Sequence, residues 1–340
     1  ELFERKISGE GQKIVFLDEI HKIVGWEKFV RTILDLKDAR VVVSGSNSKL
    51  ISEQYASLLT GRHINAEIMP LSFRELLKFK DIDYSKETKI ISKKQEIKEY
   101  VDNYLEYGGF PEVVNSPQRT RNKILADYFD SIITKDISER HNIRKKEKLK
   151  SLARFYLTNI SNTITFNSTA GNLDIPLGTV ERFSHYLEQS FLLSFVKRFS
   201  FKVKEQENAP RKVYSVDTGL SNTIGFKFSK DKGKVMENTV FLELKKRDKK
   251  GEKEIYYWQD YSGKEVDFIV KEKENIKELI QVCYNIDSQK TKNRETRSLL
   301  KASDKLGCGN LSIITYDYEG KEEIEGKTVN FKPLWKWLLE

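Results

Sequence analysis

Apolar and polar positions follow two different periods along this chain, and the switches between them mark its elements. Ile14-Val15-Phe16-Leu17 is an unbroken apolar run, too short for a helix and suited to a strand buried in a parallel sheet. Phe29, Ile33, Leu34 and Leu36 then follow a helical stripe. Arg40-Val41-Val42-Val43 gives a second buried strand, closed by Ser44-Gly45-Ser46-Asn47-Ser48. Strand, helix and strand at this spacing predict a βαβ unit and a parallel sheet. From 71 to about 140 the period is helical. Phe73, Leu76, Leu77 and Phe79 open it, and Ile97, Tyr100, Val101, Tyr104 and Leu105 continue it. Gly108-Gly109-Phe110-Pro111 breaks it, and a further helix is expected over 124–137. The stretch 140–150 is rich in Lys and Arg and reads as a solvated connector.

Residues 147 to about 225 predict three short helices and a β-hairpin, which together make a winged helix. Leu149, Leu152, Phe155, Tyr156 and Leu157 mark the first helix. Helix starts follow at Asn167-Ser168-Thr169-Ala170 and Pro176-Leu177-Gly178-Thr179. Leu193-Ser194-Phe195-Val196 and Lys212-Val213-Tyr214-Ser215-Val216 supply the strands. Beyond 230 the pattern is α/β again: an amphipathic helix over 236–246, strands over 254–258, 266–270 and 279–283, a helix over 294–306 and a strand over 311–316. The fold class expected is therefore an α/β multidomain chain.

A length of 340 residues exceeds one ordinary domain. Charged residues are frequent (33%), yet 19 Phe, 15 Tyr and 4 Trp are enough to fill cores, which excludes disorder of the whole chain. No apolar run approaches the roughly 18 residues of a membrane span, and no secretory h-region follows the charged start. The two cysteines, Cys283 and Cys308, form no C-x-x-C. That excludes a disulfide scaffold and makes the cytoplasm the simplest compartment. A net charge of +9 permits nucleic-acid contact. The first residue is Glu rather than Met, so a fragment of a longer product is expected.

Chemistry concentrates where the first strand ends, at Asp18-Glu19. A carboxylate at the carboxyl end of a parallel strand lies where open α/β sheets bind ligands and can hold Mg²⁺ through water. The adjacent Glu19 can polarise an attacking water. Ser46 and Asn47, at the neighbouring strand end, can touch a γ-phosphate or orient that water. The alternative is an acidic pair that merely ends a strand and caps a helix. A phosphate cradle, G-x-x-x-x-G-K-[ST], is absent from these 340 residues. Gly326-Lys327-Thr328 is a decoy, because Gly320 is one residue too far away and Glu322, Glu323 and Glu325 would repel phosphate. Half of a nucleotide site remains, and residues 1–340 alone are expected to bind ATP weakly or not at all.

Val15-Phe16-Leu17-Asp18-Glu19-Ile20-His21-Lys22-Ile23, Gly25-Trp26-Glu27-Lys28-Phe29, Ser44-Gly45-Ser46-Asn47-Ser48 and Leu59-Thr60-Gly61-Arg62 follow one another in order. Pro70-Leu71-Ser72-Phe73-Arg74-Glu75-Leu76 and Gly108-Gly109-Phe110-Pro111-Glu112 come next. This string resembles the AAA-type ATPases of archaea and bacteria that carry a C-terminal DUF4143 domain. The resemblance covers essentially the whole chain. It implies a truncated P-loop NTPase parallel sheet over 1–75, a helical lid over 76–146, the winged helix over 147–228, and a restriction-endonuclease-like α/β domain over 229–340. It also implies ATP and Mg²⁺ as cofactors, Asp18 as the metal-binding residue, Glu19 as the catalytic one, and Ser46 or Asn47 as the polar partner. Arg62 resembles the arginine placed near the γ-phosphate from the same or a neighbouring subunit, which admits a homo-oligomer.

DNA is the partner expected of the winged helix. Its groove-reading helix would span 177–188, with Thr179, Arg182, Ser184 and His185 facing outward, and the hairpin cations Lys197, Arg198, Lys202, Lys204, Arg211 and Lys212 would provide the basic footprint. In the last domain the resemblance makes Glu237, Asp267 and Gln281 a degenerate nuclease site. Cys283 stands at the lysine position, and Lys264 and Lys271 are the candidate substitutes. The alternative function is a nucleic-acid-binding or degenerate nuclease-fold protein with a vestigial ATPase half.

Overall fold

The computed structural model describes residues 13–20, 23, 25–35, 39–45, 64, 66–226, 231–248 and 251–340. The chain divides into two compact units, Glu1–Ile68 with Gln189–Phe191, and Met69–Glu188 with Leu192–Glu340.

In the first unit the expected βαβ unit is present. Strands β1 (Lys13–Leu17) and β2 (Ala39–Val43) pair in parallel with Leu17 opposite Val43, and helix α1 (Trp26–Asp35) connects them. Trp26 and Val30 of α1 and Ile20 form a small core against Leu17, Val41 and Val43. Burial on both faces was expected of these strands. Instead they alternate: Ile14, Phe16 and Val42 on the second face are exposed, Phe16 by 73%.

The second unit opens with helices. α2 (Phe73–Phe79) starts from a capping box, in which Ser72 accepts from the Glu75 amide while Glu75 accepts from the Ser72 amide. α3 (Lys94–Tyr107) ends at Gly108 as the sequence predicts, and α4 (Gln118–Ser131) continues into a π-helix, Ile132–Glu139. Then come α5 (Lys146–Thr158), β3 (Thr163–Ile164), α6 (Phe166–Leu173), α7 (Leu177–Gln189), β4 (Leu193–Val196) and β5 (Arg211–Ser215). The three strands form an antiparallel sheet in the order β3-β5-β4. This is the element order expected of a winged helix, although the hairpin carries a short helix, Val203–Asn208. One hydrophobic core joins Val113, Leu125, Phe129 and Ile137 to Leu152, Tyr156, Val180, Phe183 and Val213. It therefore runs across the expected lid and winged-helix segments.

After α8 (Thr218–Ile224) and α9 (Lys232–Arg247), strands β6 (Lys253–Gln259), β7 (Glu265–Glu272), β8 (Asn275–Cys283), β9 (Leu311–Thr315), β10 (Gly320–Ile324) and β11 (Lys327–Pro333) form a mixed sheet ordered β10-β11-β9-β8-β7-β6. Helix α10 (Gln289–Leu306) links the parallel pair β8 and β9. Phe268, Val270, Ile280 and Ile314 pack with α9, while Val266, Ile269, Leu279 and Ile313 pack with Leu299 and Leu300 of α10. Gly326-Lys327-Thr328 sits at the β10–β11 turn, where Glu325 and Gly326 both have positive φ (52° and 74°), as a two-residue hairpin demands.

One expectation fails outright. The helix over 236–246 is not amphipathic: α9 is buried on every side from Val235 to Leu244. Its polar groups are partnered instead of solvated. Asn238 accepts from the Ser215 amide and donates to the Ser215 carbonyl, and Glu243 accepts from Arg74 at 3.2 Å and Arg247 at 2.9 Å.

Candidate functional site

In the first unit, the register that sets Leu17 beside Val43 carries the chain forward to Asp18 beside Ser44. The Ser44 hydroxyl donates to the Asp18 carboxylate, and Ser44 Oγ accepts from the Glu19 amide at 3.2 Å. One hydroxyl thus ties both acidic residues to the end of β2. Glu19 has φ +48°, a left-handed backbone that ends the strand at a cost of order 1 kcal/mol and re-aims its side chain. Asp18 remains exposed at the strand ends, with oxygen donors of the kind magnesium takes. Ser44 was missed by the sequence reading, which looked two residues further on. The parallel register would have pointed to it. Ser46, Asn47 and Arg62 lie outside the described residues.

In the second unit, Glu237 on α9, Asp267 on β7 and Gln281 on β8 come together. Gln281 Oε1 accepts from the Asp267 amide at 3.3 Å, and Asp267 Oδ2 accepts from the Val282 amide at 2.9 Å. The cation among them was not anticipated. Lys212, on the central strand β5, is only 1% exposed. Its ammonium lies 2.8 Å from Glu237, 2.8 Å from Asp267 and 2.6 Å from Glu265. Tyr214, two residues on and so on the same strand face, donates its hydroxyl to Glu237 at 2.7 Å. Burial and the neighbouring Asp267 push the Glu237 carboxyl up to about 8. Lys212 is held well above the ordinary lysine value because the carboxylates Asp267, Glu237 and Glu265 outweigh its desolvation.

Lys212 was expected on the basic hairpin surface, and that placement is corrected here: it is a core residue. The substitutes expected at the lysine position are elsewhere, since Lys271 pairs with Glu254 at 2.6 Å and Lys264 lies in the turn before β7. Cys283 is buried, and burial pushes its thiol up to about 11, so it is neutral. Among the described residues no group of three or more His, Cys, Asp or Glu is disposed to hold a metal ion.

The remaining hairpin footprint is largely neutralised from within. Lys197 and Arg211 both pair with Glu207, and Lys202 pairs with Glu205 at 3.2 Å. Arg198 belongs to the run 197–199, whose backbone pairs with Tyr257 of β6. On α7, Arg182 and His185 face outward as expected, but Ser184 does not. It is buried, bonded to Tyr156 at 2.7 Å and to the Val180 carbonyl, because it falls on the face that carries Val180 and Leu187.

Two segments of the family-like string meet at a second buried node. The Leu71 amide donates to Gly109 at 2.8 Å, the Gly109 amide donates to Asp217 at 2.7 Å, and Lys246 donates to the Pro70 carbonyl. Gly108 has φ +77°, and a Cβ there would lie 2.0 Å from Asp217 Oδ1. Burial raises the Asp217 carboxyl to about 6 and lowers the Lys246 ammonium to about 8.

Comparison with known proteins finds three families along the chain. A family described as an AAA domain matches residues 1–77, a domain of unknown function, DUF8612, matches 98–231, and another, DUF4143, matches 232–337. An uncharacterized protein of Methanocaldococcus jannaschii is 35% identical across 100% of this chain and 77% of its own length. An uncharacterized protein of Haemophilus influenzae is 30% identical across 100% of this chain and 81% of its own. No solved structure matches the chain. No helix among the described residues is long and apolar enough to cross a membrane.

Proposed function

The chain belongs to the family of these archaeal and bacterial proteins, which joins an AAA domain to a DUF4143 domain, and we propose that its first unit is the core of a magnesium-dependent ATPase. The observation that carries this reading is the pair of parallel strand ends, where Ser44 binds both the Asp18 carboxylate and the Glu19 amide. Asp18 would hold the ion, with Ser44 fixing the carboxylate's orientation. Bound magnesium supplies charge neutralisation of the phosphates. Glu19 orients and polarises the attacking water. Ser46 or Asn47 contacts the γ-phosphate side, and Arg62 stabilises the charge of the transferring phosphoryl group.

ATP turnover by the full-length protein tests this. Glu19→Gln should lower kcat by a factor of about 10² or more while nucleotide binding is retained. Asp18→Asn should remove the magnesium dependence of binding. Unchanged turnover in Glu19→Gln would reject the catalytic assignment.

For the DUF4143 domain we propose a role that does not cleave nucleic acid. Glu237 and Asp267 are satisfied by Lys212, and a phosphodiester has no route to an ammonium that is 1% exposed.

A further inference from the structure

A pocket of about 490 Å³ opens between the 141–145 segment, α5 and the start of α7. Arg144, Lys145, Lys148 and Arg182 line it, and no carboxylate does. Lys148 donates to the backbone carbonyl of Asp174 at 3.1 Å, and Arg182 lies over the Phe183 ring at 5.7 Å. None of the four cations makes an ion pair with a carboxylate among the described residues. The hairpin cations Lys197, Lys202 and Arg211, by contrast, are matched to Glu205 and Glu207. Four clustered cations without counter-charge repel one another, so the pocket is electrostatically incomplete until an anion enters it.

Two further features narrow the class of anion. The first turn of α7 carries no acidic residue, so nothing there offsets the positive end of the helix, where Pro176 and Thr179 line the pocket, and this favours phosphate. One wall is a flat aromatic pair, with the His141 and Tyr186 rings stacked 3.6 Å apart at an interplanar angle of 9°. Cations beside an aromatic surface are the combination that seats a phosphate together with its sugar or base.

We propose that this pocket binds the sugar-phosphate backbone of a nucleic acid, with Arg144, Lys145, Lys148 and Arg182 on neighbouring phosphates and the Tyr186 wall against a sugar or base. The segment 144–148 is then a binding element rather than part of a solvated connector, and the basic footprint moves from the hairpin to the pocket beside α7. This site is independent of the ATPase reading: Glu19→Gln should leave it unaffected, and loss of binding here should leave basal turnover intact.

The test is fluorescence anisotropy of the purified protein with a short labelled duplex and the matching single strand, titrated across a range of salt. Neutralising up to four phosphates predicts that log K falls against log salt with a slope of about −3 to −4. The variant Arg144→Gln/Lys145→Gln/Arg182→Gln changes three exposed side chains, so it should fold with an unaltered melting curve. It should weaken binding by about tenfold or more and flatten the slope by roughly 1 per cation removed. Lys197→Gln/Lys202→Gln should change neither affinity nor slope. Absence of binding by the wild type at low salt would overturn the proposal, as would a triple variant with wild-type affinity and slope. Full displacement by equimolar ATP or pyrophosphate would also overturn it, since it would assign the pocket to a small phosphorylated ligand.

Discussion

Lys212→Met is the most informative single change in the second unit. Methionine keeps most of the side-chain volume, so the cavity contribution is small and the result isolates charge. In the wild type, three carboxylate oxygens lie 2.6 to 2.8 Å from one ammonium that is 1% exposed. At an effective dielectric of about 20, each contact with an ionised carboxylate is worth roughly 6 kcal/mol gross, against several kcal/mol for stripping water from the ammonium. Removing one partner of a buried pair typically costs about 3–5 kcal/mol, and here Asp267, Glu265 and the largely protonated Glu237 all lose their common partner at once. The expected loss is therefore near 5 kcal/mol, read as a fall in the denaturant midpoint at neutral pH. Lys212→Arg should not rescue it, because the slot fits an ammonium and a guanidinium is larger and planar. The variant's deficit should shrink on acidification, as the stranded carboxylates take up protons. Lys212→Met/Glu237→Gln/Asp267→Asn should recover at least half of the loss. A Lys212→Met protein within about 1 kcal/mol of wild type, or no recovery in the neutralised background, would refute the picture of a charge-compensating ammonium.

Two other tests follow from the same geometry. Glu237 is raised to about 8 and Asp217 to about 6, so each contributes stability that is full below its ordinary value and is lost as pH rises through the raised one. Between pH 6 and 8 the Glu237 contribution outlasts that of Asp217, and Glu237→Gln should remove a downward slope of at most about 1.4 kcal/mol per pH unit, measured by chemical denaturation across that window. At Gly109 a Cβ would lie 2.3 Å from the Leu71 carbonyl oxygen, in the loop where the Leu71 amide bonds Gly109. Gly109→Ala should therefore destabilise by about 3 kcal/mol in the same assay, far more than the helix propensity of alanine could return.

The fold was legible wherever one face or both faces of an element were apolar over several residues. The period-2 and period-3.6 runs located β1, β2 and the sheet strands from β6 to β9, and Gly108 ended α3 where punctuation by glycine predicts. Legibility failed where a polar residue is buried with a partner distant in sequence. Glu243 reads as an exposed helix position until Arg74, 169 residues away, is seen to bond it. Ser184 reads as a groove-facing hydroxyl until Tyr156 is found against it. In both cases a long-range hydrogen bond overrides the pattern, and no local window contains that partner.

Lys212 shows what the pattern could still have revealed. It sits in Lys212-Val213-Tyr214-Ser215, where alternation puts Val213 on one face and Lys212 with Tyr214 on the other. β5 is buried on both faces from Lys212 to Ser215, and a lysine there requires an anion. Glu237, Glu265 and Asp267, all from the DUF4143 half, take Lys212. The acidic cluster and the unexplained lysine were thus two halves of one observation, separated by the assumption that hairpin cations face solvent. The same reasoning applied to the 140–150 run gives the opposite result. Lys150 has its anion in Asp130, but Arg144, Lys145 and Lys148 make no ion pair among the described residues, and the counter-charge they lack is left to whatever binds there.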